Sequence, residues 1–266
     1  MENLTIIAFL IFIVAVAMTM VGKGGGNFYV VILAMAGIPM HEAATTGQFM
    51  LFTASVAAML IFHKKKSIAW PLAFSVGGIT ALSALAGGLL SHFFSGTTLK
   101  IVFATMLVAS GIVMLLPKPK AKPLCDDDGF GFFQLKSGSE SYRINLWIAL
   151  PVTILTGLGS GMVGVSGGSF LVPLMVVACG IPMQLAVGTS SSLIAAISLM
   201  GFAGHAVHGD FNPHWALPLA LVTIIGGMLG GRLALKTKPT HLKQLFAYTN
   251  WIAAGFMIFN ALHHSA

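Results

Sequence analysis

Apolar and polar positions fall along this chain in long blocks. Apolar runs cover 4–21, 28–36, 40–62, 68–90 and 99–116, and after a polar gap 146–162, 170–179, 185–206, 215–229 and 246–262. As helices, runs of about 18 residues or more can cross a bilayer core of ~30 Å. Two runs, 28–36 and 170–179, are about half that length. Each follows a glycine turn and ends at Gly-Ile-Pro-Met, once at Gly37 to Met40 and again at Gly180 to Met183.

The coincidence extends further. Sliding the first part forward by 143 positions, the distance from Gly24 to Gly167, aligns the two parts without a gap. Gly25 falls on Gly168, Ala43 on Ala186, Thr46 on Thr189, and Gly87-Gly88 on Gly230-Gly231. A repeat of this length is a duplicated structural unit. The pattern predicts an all-α polytopic membrane protein made of two repeats, 1–116 and 145–266, joined by a polar linker at 117–144. Each repeat holds a glycine-broken pair, either a re-entrant hairpin or a short helix pair, and three full transmembrane helices. Gly77-Gly78 and Gly87-Gly88 are small enough to let neighbouring helices approach closely.

Composition removes the soluble alternatives. Of 266 residues, 56% are hydrophobic and 8% charged, against roughly 25% charged in soluble domains. The first run is read as a retained span, because Glu2 stands where a signal peptide carries basic residues and no small-residue cleavage site follows. Cys125 sits in the polar linker and Cys179 in an apolar run, so no disulfide is expected. The net charge of +7 sits in short loops, where it sets topology and does not point to nucleic acid. Lys64 to Lys66, the linker, and the loop from Arg232 to Lys243 are expected in the cytoplasm. Both termini and the loops at 91–98 and 208–213 then face outside, in a multi-pass protein of the cell (inner) membrane. Under this parity each broken pair enters and leaves on one side, and the repeats have inverted topology. Inverted repeats with matched interrupted segments mark secondary transporters, whose substrate site lies at the interruptions.

Within a bilayer, irregular backbone is tolerated only where protein or water satisfies it. The free N–H groups of a helix start favour an anion, and glycine lets that ligand come close. The candidate substrate-binding residues are therefore Gly24, Gly25, Gly26 and Asn27 in the first turn and Gly167, Gly168 and Ser169 in the second. Thr45, Thr46, Gln48, Thr189, Ser190 and Ser191 are candidate side-chain donors. Packing is the competing role for glycine, and bonding to the helix's own backbone is the competing role for Ser and Thr. Lys23 is either a substrate contact or a snorkelling residue at a helix end, and the aligned position holds Ser166. No metal set emerges: His205 and His208 lie near an outer loop, and Cys125 beside Asp126 to Asp128 has no matching histidines.

The stretch Gly164-Val165-Ser166-Gly167-Gly168-Ser169-Phe170-Leu171-Val172-Pro173, followed by Gly180-Ile181-Pro182 and Ala186-Val187-Gly188-Thr189-Ser190, resembles the signature of the sulfite exporter TauE/SafE family, also called the 4-toluene sulfonate uptake permease family. The stretch from Gly24 to Thr46 resembles that family's first copy, with Val30 in place of Pro173 and Thr45-Thr46-Gly47 in place of Gly-Thr-Ser. The resemblance covers nearly the whole chain outside the linker. It implies a secondary transporter of sulfite, sulfoacetate or another organosulfonate, working by alternating access without a cofactor. H+ or Na+ is the candidate coupling ion, membrane lipid is the surrounding partner, and oligomeric state stays open. Two other functions compete. One is a passive anion channel. The other is an intramembrane serine protease of the rhomboid type, suggested by Gly164-Val165-Ser166-Gly167, with His205 as the candidate base for Ser166; it leaves the duplication without a role.

Overall fold

The computed structural model describes residues 2–90, 96–115, 132–137, 140–163, 166–207 and 211–263. The first half contains α1 (Glu2–Met20), α2 (Gly26–Met35), α3 (Met40–Lys64), α4 (Trp70–Leu90) and α5 (Gly96–Leu115). The second contains α6 (Leu146–Val163), α7 (Gly168–Pro173) continuing as a π turn (Leu174–Ala178), α8 (Met183–Ala206), α9 (Pro213–Lys236) and α10 (Pro239–His263). Helices α3, α4, α8 and α9 are each long and apolar enough to cross a membrane. At 1.5 Å per residue, the 10-residue α2 reaches about 15 Å, half a bilayer core.

The linker departs from expectation. Its last part forms an antiparallel hairpin of β1 (Phe132–Ser137) and β2 (Glu140–Asn145), with Phe132 opposite Asn145 and Ser137 opposite Glu140. Asn145 therefore ends a strand, and the second half begins at Leu146. The sequence carried the signal in Gly138-Ser139, a two-residue turn type between two short runs. Cys125 lies outside the described residues; Cys179 is buried and free.

Small residues set the packing. A β-carbon added to Gly157 would lie 2.3 Å from Thr80 O, and one added to Gly161 would lie 2.0 Å from Ala84 O, so α6 and α4 pack backbone to backbone. Gly87 meets Leu158 in the same contact. The equivalent contact in the other half is α9 on α1, where Gly226 meets Ala15 and Gly230 meets Val16. Likewise Gly88 on Gly204, between α4 and α8, corresponds to Gly231 on Ile61, between α9 and α3. Gly77 touches Leu193, whereas Gly78 has open space beside it. Each of the two main contacts thus recurs at about the repeat spacing.

The direction of the helices follows from these pairs. Gln48 meets Gly201 while Phe62 meets Gly188, so α3 and its equivalent α8 run antiparallel at the centre. Rising residue numbers match between α3 and α9, α1 and α9, α4 and α6, and α4 and α8, so those pairs are parallel. The exposed Lys64 to Lys66, the end of α9 at Lys236, and the start of α6 consequently lie at one end of the bundle, and the start of α1 at the other.

Polarity is inverted relative to a soluble protein. Phe9, Phe74, Leu82, Trp147, Leu155, Leu221 and Ile252 are exposed, while Thr46, Gln48, Ser55, Thr189, Ser190 and Ser198 are buried on the central pair. An apolar rim around a polar centre suits a lipid exterior.

Candidate functional site

The first break is built by glycine geometry. Gly22 adopts φ 76°, and around it Lys23 N donates to Met18 O at 2.9 Å and Gly22 N to Thr19 O at 3.0 Å. These two bonds form a Schellman ending for α1. Gly24 (φ 70°) and Gly25 (φ 95°) continue in the left-handed region, which a β-carbon disfavours by about 1–2 kcal/mol. The chain then re-enters a helix, with Phe28 N and Tyr29 N donating to Gly25 O.

In the second half, Phe170 N and Leu171 N donate to Gly167 O. Gly167 stands 142 positions after Gly25, one short of the repeat spacing. The short helix α7 therefore starts one residue early. The π turn Leu174–Ala178 takes up the extra residue, as π turns do, and α8 resumes in step at Met183. The gapless sequence alignment concealed this shift. Its cause includes Pro173, which stands where the first copy has Val30. Proline has no N–H and cannot bond the carbonyl four residues back. That carbonyl belongs to Ser169, and it accepts instead from the Ser110 hydroxyl of α5. Ser110 Oγ in turn accepts from Asn250 Nδ2 of α10 at 3.0 Å.

The two breaks meet. A β-carbon on Gly168 would lie 2.3 Å from Gly22 O and 3.0 Å from Lys23 Cα, and Ser190 Oγ of α8 donates to the same Gly22 O at 2.7 Å. Beside this contact is a cavity of about 10 Å³ whose polar lining is Lys23, Gly25, Asn27, Ser166, Ser169, Thr249 and Asn250. That is room for about one water molecule. Asn27 Oδ1 and Asn250 Oδ1 are buried there without a hydrogen-bond partner. Lys23 is buried, 4% exposed, and does not snorkel. Its Nζ donates to Phe246 O at 2.7 Å and Thr249 Oγ1 at 2.6 Å, and it stands 4.2 Å from the centre of the Phe246 ring.

The residues singled out from the sequence thus divide into three groups. Gly24, Gly25, Gly26, Asn27, Gly168 and Ser169 belong to the two breaks that meet at the cavity. Gln48 is buried at the α3–α6–α8 junction, where its Nε2 donates to Ser160 O at 3.2 Å, and Thr46 is buried on the same helix. Gly167 backs onto that junction through Thr156 and Ser160, and Thr45 is buried on α3 near Thr46. Thr189 is not brought to the cavity: its hydroxyl accepts from Ala69 N at 2.9 Å and donates to Leu185 O at 2.7 Å, at the end where α8 starts. Ser191 donates to Val187 O within its own helix. Gln48 Oε1, Thr46 Oγ1, Thr156 Oγ1 and Ser160 Oγ are buried without a hydrogen-bond partner.

Thr249, Asn250 and Ser110 were missed from the sequence. Polar residues inside apolar spans are a functional signal in their own right, but their aligned positions are Met106, Leu107 and Ala253. Duplication therefore gives no pointer to them. As for the protease reading, His205 Nε2 donates to Gly161 O at 2.9 Å, and Ser166 lines the cavity beside Lys23.

Comparison with known proteins bears on the whole bundle. The chain is 24% identical over 240 residues to the probable membrane transporter protein YunE of Bacillus subtilis, covering 85% of this chain and 87% of that one. A probable membrane transporter protein of Methanocaldococcus jannaschii is 26% identical over 263 residues, covering 93% and 92%. One from Xylella fastidiosa is 25% identical over 237 residues, covering 88% and 85%. With residues 7–257 matching the family as a whole, the chain belongs to the sulfite exporter TauE/SafE family of membrane transport proteins.

Proposed function

We propose that the protein is a secondary transporter that carries a small sulfur-containing anion, sulfite or an organosulfonate, across the cell membrane by alternating access. The observation that carries this reading is the meeting of two broken helices, one from each half, beside a polar cavity that holds a single buried lysine. The starts of α2 and α7 supply backbone N–H groups, Lys23 supplies a charge, and Asn27, Ser166, Ser169, Thr249 and Asn250 supply polar groups. A cavity of about 10 Å³ is too small for a sulfonate group, so this arrangement of the breaks is a contracted one. Entry of the anion requires the breaks to separate from α10. With α3 antiparallel to α8, opening on one face and closing on the other exchanges the roles of the two halves, which is the behaviour of inverted repeats.

Thermal-shift and binding titrations of the purified protein with sulfite, thiosulfate, sulfoacetate, taurine and sulfate test the reading. At least one sulfur anion is expected to stabilise the protein saturably, and reconstituted vesicles should show counterflow of that anion. Counterflow separates a carrier from a channel. No stabilisation by any member of the set, or flux without counterflow, defeats the proposal.

The same reading fixes orientation. Lys64 to Lys66 and Lys236 share one end, and the excess of basic residues makes that end cytoplasmic. The linker with Cys125 is then cytoplasmic and both termini external. On intact cells, Cys125 is expected to resist an impermeant maleimide until the membrane is permeabilised. Labelling before permeabilisation reverses the topology.

A further inference from the structure

We propose that Lys23 takes up one proton with each anion it seats, so that anion and proton cross the membrane together. This rests on the anion site proposed above and adds the coupling ion.

The geometry around Nζ suits a neutral amine. Phe246 O and Thr249 Oγ1 each accept one N–H from Lys23. The Thr249 hydroxyl donates its own hydrogen to Leu245 O at 2.7 Å, so towards Lys23 it acts as acceptor. A neutral amine has two N–H groups and an ammonium has three. Both hydrogens of the neutral form are therefore satisfied, and a third would face the cavity.

The surroundings offer no countercharge. Met18 of α1, Asn27 and Phe28 of α2, Ser166 and Ser169 of the second break, and Asn250 of α10 face the same space. Of the titratable side chains on the same break, Tyr29 of α2 packs its ring on Gly25. Among the described residues no acidic side chain pairs with Lys23. An ammonium buried without a partner is costly, and lysine is the basic side chain that gives up its proton when buried. The Phe246 ring and the unpartnered Asn27 Oδ1 and Asn250 Oδ1 offer an ammonium polar neighbours but no negative charge, and an arriving anion supplies that charge.

The step balances. Lys–NH2, one proton and one sulfonate anion give Lys–NH3+ held against the sulfonate oxygens, and the reverse occurs at the other face. No covalent bond is made or broken, and a monoanion crosses with no net charge.

The test is isothermal titration calorimetry of the purified full-length protein in detergent. Methanesulfonate, sulfoacetate and taurine are the probes, because their sulfonate groups hold no proton near neutral pH. Repeating each titration in buffers of different ionisation enthalpy at one pH counts the protons taken up. About one proton per anion is expected for the wild type, with affinity falling about tenfold for each pH unit of increase where the empty site is neutral. Lys23→Arg carries a fixed charge; its binding should take up no proton and be flat with pH. Lys23→Met should lose binding. Wild-type binding with no proton uptake and no pH dependence overturns the coupling and leaves the anion site standing. Failure of all three probes to bind while sulfite or thiosulfate still stabilises the protein overturns the sulfonate coupling and leaves the anion site standing; failure of the whole set removes both. The wild-type proton count decides the matter even where a variant does not fold.

Discussion

Gly168→Ala is expected to weaken anion binding by more than a hundredfold and to abolish transport. The added methyl group would stand 2.3 Å from Gly22 O, 2.7 Å from Ile194 Cδ1 and 3.0 Å from Lys23 Cα. Two of those three neighbours are backbone, which no rotamer change can move aside. The first break must retreat from the second, and Lys23 moves with it. Each hydrogen bond to a charged ligand contributes about 1.5–3 kcal/mol, so misplacing two of them costs roughly 3–6 kcal/mol, and every 1.4 kcal/mol is tenfold in affinity. Two controls separate this from general damage. Gly37→Ala places a side chain at φ 86° with nothing within 4 Å, so it should cost stability and leave affinity within tenfold. Thr189→Ala removes a hydroxyl bonded to Ala69 N and Leu185 O, away from the cavity, and should also leave affinity unchanged. Titration calorimetry of variants that elute as a single peak in detergent is the measurement. A folded Gly168→Ala protein binding its anion as the wild type does would show that the meeting of the breaks is only packing.

Gly161→Leu is expected to prevent assembly of the bundle. A β-carbon there would lie 2.0 Å from Ala84 O and 2.9 Å from Ala84 Cα. Association of helices in lipid depends on close van der Waals packing of small residues. Leucine at this point forces α6 and α4 apart along their whole contact. Overpacking alone costs about 1–3 kcal/mol, and here it adds to the lost contacts of Gly157 and Gly87. The control lies two residues away on the same helix: Gly159 has nothing within 4 Å, and Gly159→Leu should assemble normally. Fluorescence-detected size exclusion of tagged protein reads both. Equal, monodisperse peaks for the two variants would refute the packing argument.

The helix breaks were readable because glycine and proline mark them chemically. The expected interruptions at 22–26 and at Gly37-Ile38-Pro39 lie where α1, α2 and α3 end and begin. Gly37 and Gly180, one repeat apart, both take positive φ. The family was readable for the same reason, since its signature lies in those breaks. The chemistry between helices was less readable. Lys23 sits next to a helix end in sequence, which suggested snorkelling, but the chain folds back there and carries it inward. Thr189 lies in a run of hydroxyl residues, and only the tertiary contact with Ala69 shows that it anchors the start of α4. Asn250 reaches the cavity from the last helix, 223 positions after Asn27, a proximity that no local pattern encodes. Pro173 was noted as a departure between the copies, yet its effect, a freed carbonyl on Ser169 taken by Ser110, depends on where α5 packs.

Lys23 and Ser166 occupy aligned positions and line the same small cavity. Two identical half-length chains, paired as these halves are, would put the same residue in both places. Two lysines would then face each other, and like charges about 4 Å apart repel by about 4 kcal/mol at the effective dielectric near a protein surface. Two serines would leave the cavity without any cation. A homodimer of half-chains therefore has no solution with a single lysine at its centre. Joining the halves in one polypeptide removes that constraint, because each copy can then change alone. The linker thus does more than connect: it is what allows one lysine, and not two or none, to stand where the two breaks meet.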